Sequence, residues 1–188
     1  EALKAIAENN PDHQKAIMET LVTILNNGTD TKKVMVAYAL NNLAEDNPDN
    51  QNAIVEAGAI DPLVKLLDGT NTQKEHAAGA LWSFHQKEFA AGVLRNLAED
   101  NHDNQVAIAK AGAIVPLVTI LKTGTAFQKQ NAADALKNLA EDNPDNQNAI
   151  VEAGAIKPLM EYVKLFGEGD NVRALENLAA NNPGNQKG

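Results

Sequence analysis

The sequence contains no cysteine. Disulfides, thiolate nucleophiles and cysteine-based zinc sites are therefore excluded, and the absence fits a reducing compartment or an engineered chain. Aromatic residues are scarce, with one Trp, two Tyr and four Phe in 188 residues. No apolar run approaches the roughly 18 residues needed to cross a bilayer, so no membrane partner is expected. Basic residues are outnumbered by acidic ones, 16 to 25, for a formal net charge of −9. Binding phosphates takes clustered Lys and Arg, so nucleic acid is not an expected partner. A basic or mixed peptide suits this field better. Glu1 opens directly into helix-like sequence, without a charged segment followed by an apolar one. No signal peptide is expected from that, and a cytoplasmic or nuclear location is the expectation.

What the sequence does contain is Ala, Leu, Ile and Val arranged in a repeat. Residues 42–60 read NLAEDNPDNQNAIVEAGAI, and residues 138–156 read the same. Residues 96–114 are a variant, residues 5–17 a decayed opening copy and residues 177–186 a closing one. Pro11, Pro48, His102, Pro144 and Pro183 correspond, at steps of 37, 54, 42 and 39. A period near 42 lies in the range of helical solenoid repeats, about 40–47 residues. The implied divisions are a partial third helix at 1–8, repeats at 9–45, 46–99, 100–141 and 142–180, and a tail at 181–188. A nineteen-residue identity between copies points to recent duplication or to a consensus-engineered chain.

Each repeat reads as three helices. Asn47 is a good N-cap, and Pro48 fits the first helical position, where its missing N–H is not needed. Gly58 suits the left-handed residue that ends this helix. Asp61 and Pro62 suggest the start of a second helix, whose apolar stripe is Leu63, Val64, Leu66 and Leu67. Gly69 marks its end, and a longer third helix is expected after Thr72. No such unit buries its own apolar face, so neighbouring units must stack.

The Asn-Leu-Ala segment, the Asn-Pro helix start, Glu-Ala-Gly-Ala-Ile, Pro-Leu-Val and the Gly-Thr turn together resemble the armadillo repeat family. That resemblance covers essentially the whole chain. It implies an all-α armadillo-type alpha-alpha superhelix, a right-handed solenoid of about four three-helix repeats. It also implies a non-catalytic scaffold that holds an extended peptide in a concave groove lined by third helices, with no cofactor. Such arrays place an Asn near the end of each third helix, because one carboxamide offers a donor and an acceptor that match any peptide bond. The matching positions are Asn42, Asn96, Asn138 and Asn177, with Ser83 in an extra copy. Bracing of the following loop is the alternative role for these residues. Met35, Tyr38, His76 and Phe89 lie four or seven residues earlier and are candidates to touch peptide side chains. In the peptide-import branch a Trp stands four residues before the Asn. Here those positions hold Tyr38, Gly79, Gly92, Asp134 and Arg173, so that recognition mode is not expected.

The second repeat is irregular. Residues 73–84 (QKEHAAGALWSF) and 86–97 (QKEFAAGVLRNL) are near-copies offset by thirteen residues. At about 100° per residue this offset turns a helix by about 220° beyond full turns. Two apolar stripes so placed cannot face one core from a single straight helix. The helix can break and turn back near 84–88, kink there, or run on as one rod. The linking residues 85–88 hold neither Gly nor Pro, which favours the long helix, and with it a homodimer in which Phe89, Val93 and Leu97 pack on a second copy. The alternative function is thus an engineered or structural solenoid without a natural ligand, self-associating through this helix.

No catalytic or metal constellation stands beside these features. The EDNPDNQ loops lack the Gly and the twelfth-position Glu of a calcium loop. They are expected to be helix ends and N-caps. His13, His76, His85 and His102 show no metal-ligand spacing, and Ser83 lacks the surroundings of a nucleophile.

Overall fold

The structure is a computed structural model that describes residues 11–68, 77–166, 174–176 and 178, without the side chains of residues 11, 12 and 77–84. The described residues form ten long helices and no strand. The chain divides into two compact units, residues 1–97 and 98–188.

Unit 1 contains α1 (Pro11–Asn27), α2 (Asp30–Ala44), α3 (Pro48–Glu56), α4 (Ile60–Asp68) and α5 (Ala77–Ala98, whose last residue falls in unit 2). The first repeat lacks the Ala-Gly-Ala segment found in the others, and α1 runs unbroken through the positions where they change direction. In the second repeat Gly58, at φ +81°, separates α3 from α4. Its N–H donates to Val55 O and the next N–H to Ile54 O, the paired bonds of a Schellman turn. Asn47 caps α3, its side chain accepting from the Asn50 N–H, with Pro48 at the first helical position. The second helix begins earlier than Asp61 suggests. Ile60 is already helical and Ala59 O accepts the first bond, from Leu63 N–H. Asp61 therefore sits in the first turn, where its charge favours the helix dipole. The core of this unit is formed by Met18, Leu25, Leu40, Ile54, Leu63, Leu67, Leu94 and Leu97, all essentially inaccessible.

Unit 2 contains α6 (His102–Lys110), α7 (Ile114–Thr123), α8 (Ala126–Ala140), α9 (Pro144–Glu152) and α10 (Ile156–Phe166). Gly112 turns the chain through 81° between α6 and α7, with φ +85°. Gly124 is extended instead, and Thr125 caps α8 in a full capping box with Gln128. Ile108, Leu117, Ile120, Leu121, Leu136, Ile150 and Leu159 fill the core.

The irregular helix is continuous where the sequence offered no turn. α5 passes through His85–Glu88 as one 22-residue helix. Gln73–His76, Gly69 and Thr72 lie outside the described residues. The second near-copy does not need a partner to cover it. Val93 and Leu97 are fully buried within the chain and Phe89 is half-buried. The expectation that this stripe would be left for a second copy is thereby corrected: α5 packs with its later half. Among the described residues no single helix is long and apolar enough to cross a membrane.

Candidate peptide-binding surface

The loops that join third helix to first helix do more than cap. Asn50 and Gln51 are buried one turn inside α3. Asn50 donates to Leu43 O at 2.8 Å, and Gln51 donates to Ala44 O at 2.9 Å. These are carbonyls at the end of α2 that the helix itself leaves unpaired. In unit 2 Gln105 reaches Ala98 O, and Asn146 and Gln147 reach Leu139 O and Ala140 O. The Asn residues also link repeats sideways. Gln14 donates to Asn50 Oδ1 at 2.6 Å, and Asn146 donates to Gln105 O at 3.3 Å. Between helix and brace, Asp46, Asp100 and Asp142 adopt the left-handed region at φ +50°, +48° and +49°. The recurring Asp-Asn-x-Asp-Asn-Gln string thus ties the end of α2 to α3 in unit 1 and the end of α8 to α9 in unit 2. Spacing alone suggested caps. The seven-residue reach of Asn50 and Gln51 is legible only once the turn is seen.

Met35, Tyr38 and Asn42 follow one another along α2 at helical spacing, and all three are exposed, Met35 by 62% and Tyr38 by 52%. α5 lies beside them. The Phe89 ring meets Tyr38 edge to face, centroids 5.0 Å apart, and His85 stacks on Phe89 at 5.8 Å. His85 Nδ1 is 3.6 Å from a Glu88 carboxylate oxygen. Further along α5, Asn96 donates to Asn41 O at 3.1 Å. Its own Oδ1 accepts two bonds from Arg95, at 3.0 and 2.9 Å. Four of the candidate residues, Met35, Tyr38, Asn42 and Phe89, therefore come together on one surface of unit 1. His85 joins them, although the sequence singled it out only as a histidine without metal spacing.

The Asn residues do not share one environment. Asn42 is exposed, whereas Asn96 is 2% exposed and Asn138 5%. Asn96 spends its carboxamide on bracing α2 against α5. Asn177 and His76 lie outside the described residues. In unit 2 Asp134, one turn before Asn138, faces Tyr162 of α10. Burial pushes the Tyr162 phenol above its ordinary value, and the Asp134 carboxylate adds to the rise. Among the described residues no group of three or more His, Asp or Glu is placed to hold a metal ion.

Comparisons agree with this architecture. The Armadillo/beta-catenin-like repeat family matches residues 47–83. A crystal structure of an engineered protein is 31% identical, with a TM-score of 0.73 over 95% of this chain and 70% of that one. A crystal structure of computationally designed armadillo repeat proteins for modular peptide recognition is 26% identical. Its TM-score is 0.75, over 96% of this chain and 74% of that one. A further designed armadillo repeat protein is 27% identical, with a TM-score of 0.75 over 98% of this chain and 76% of that one. No curated protein matches the chain. The chain belongs to the armadillo repeat family.

Proposed function

We propose that this chain is a non-catalytic scaffold that holds an extended peptide against the α2–α5 surface of unit 1. The observation that carries it is the exposed Met35–Tyr38–Asn42 row, with Tyr38 held in place by Phe89. Exposed apolar groups in contact with one another mark an interaction surface, and an exposed carboxamide one turn away matches a peptide backbone. Designed armadillo proteins made for peptide recognition, 26% identical, support the same use of the fold. The duplicated segment 42–60/138–156 and these designed neighbours also support a consensus-derived origin. The test is selection of binding peptides from a displayed library, followed by Asn42→Ala. Loss of roughly one hydrogen-bonded group, about 1 kcal/mol, lowers affinity several-fold. Unchanged affinity for every selected peptide rejects this surface.

A twofold association through α5 is the second reading we retain. The unbroken course of α5 through residues 85–88 keeps the two near-copies about 220° apart in phase. The later one is buried within the chain at Val93 and Leu97. Light scattering on a sizing column distinguishes dimer from monomer, and a monomer at high micromolar concentration removes this reading.

A further inference from the structure

We infer that the Met35–Tyr38–Phe89–His85 cluster is a subsite for a large apolar side chain of the peptide, Phe or Leu in class, and not for a lysine or arginine. This rests on the chain being a peptide scaffold and states what that surface selects.

The cluster is built in layers. His85 stacks on Phe89 with rings 16° from parallel, and Phe89 holds Tyr38 edge to face at 62°. Phe89 is half-buried and is the middle ring of the three. Tyr38 and Met35, one turn apart, are its open part. A fixed ring loses little further freedom when a ligand side chain covers it. The Met35 thioether adapts to the shape of an apolar or aromatic group.

A cationic side chain would find less here. Holding one usually takes a ring face with a carboxylate at the end of the stem. Glu88 is on α5 beside the cluster, but its carboxylate lies against His85. The His85 side chain, 45% exposed, offers the cluster a ring and not a carboxylate. The net charge of −9 draws basic peptides toward the molecule as a whole, but a field of that range does not choose the side chain at one pocket.

The size of the patch sets the kind of occupant. Four side chains fall far short of the roughly 800 Å² per partner that a stable protein interface covers. One side chain of a peptide fits, provided that something fixes the neighbouring backbone. Asn42, exposed and one turn beyond Tyr38 on the same face, is placed to do that.

The test uses the full chain and a displayed library of random twelve-residue peptides. The strongest peptide is then synthesised with each position changed in turn to Phe, Leu, Lys or Ala. One position should require Phe or Leu, and Ala or Lys there should weaken binding by about tenfold or more, as for burial of one large apolar side chain. In Tyr38→Ala and in Met35→Ala the parent peptide should weaken, and the difference between its Phe and Ala forms should nearly vanish. Both residues are more than half exposed, so these variants keep their fold. Two results would overturn the subsite while leaving the scaffold intact. One is a peptide that depends on Asn42 but demands Lys or Arg at every sensitive position. The other is a Phe-to-Ala difference that persists in Tyr38→Ala and Met35→Ala. Failure to select any peptide on the full chain would reject the scaffold itself, and the subsite with it.

Discussion

At the scale of single residues, two kinds of position carry the fold. The first is the left-handed residue. Gly112 sits at φ +85° with open space where a Cβ would be, so only backbone strain opposes a side chain there. Gly112→Ala should cost about 1 kcal/mol, from the steric price of the left-handed region. Asp142 occupies the same region at φ +49°. Asp tolerates it better than a branched residue, so Asp142→Val should cost about 1–2 kcal/mol and Asp142→Asn almost nothing. Denaturant midpoints read both. The second kind is the buried brace. Gln147 is 2% exposed and donates to Ala140 O at 2.9 Å. Gln147→Ala removes the shorter of two bonds to that carbonyl, which keeps the Asn143 N–H at 3.4 Å, and should cost about 1 kcal/mol. The exposed Glu152 on the same helix should tolerate Ala within about 0.5 kcal/mol. Equal effects at the two positions would show that the brace contributes no stability.

At the scale of elements, α5 and α10 make separate predictions. α5 is helical through Lys87, so Lys87→Pro removes a hydrogen bond and collides with the preceding turn. The expected loss is about 3 kcal/mol, read by thermal melting. A negligible loss would mean that the helix breaks between its two near-copies. α10 carries Tyr162, which is 5% exposed. Burial first and Asp134 second raise its phenol pKa. A folded value above the unfolded one leaves stability whole below pH about 10. Stability is then lost as pH rises from there through the folded value. Tyr162→Phe should remove that alkaline loss while keeping the ring contact with Phe166 at 5.1 Å. Denaturant melts between pH 8 and 12 test this, and an identical alkaline slope in both proteins would contradict it.

At the scale of the whole molecule, the duplicated stretch is the main departure from regularity. It lengthens one step between corresponding residues to 54, against 42 in the next repeat. Removing residues 85–97 takes out thirteen residues and leaves a step of 41, because 54 less 13 is 41. It would place Phe84, Leu81 and Ala80 in the positions now held by Leu97, Leu94 and Val93. That shortened protein should fold and be monomeric on a sizing column with light scattering, even if the parent is a dimer. If instead the parent is monomeric and the shortened chain unfolds, α5 is an integral long helix and not an inserted copy.

The sequence by itself determined the class of fold, since a period near 42 that carries Asn-Pro helix starts, Gly stops and apolar stripes at helical spacing reads as stacked helices. Asn47 as cap and Gly58 as left-handed stop were legible too, because both depend on local backbone chemistry. Helical spacing also put Met35, Tyr38 and Asn42 on one face of a third helix. Tertiary structure decided the rest. Asn42 and Asn96 occupy matching positions, yet one is exposed and the other is tied to Asn41 and Arg95. His85 entered the cluster only because α5 does not break, and Val93 and Leu97 found their core within the chain. The physical reason is the same in each case. Local signals act over one or two turns, whereas burial depends on which helix lies alongside.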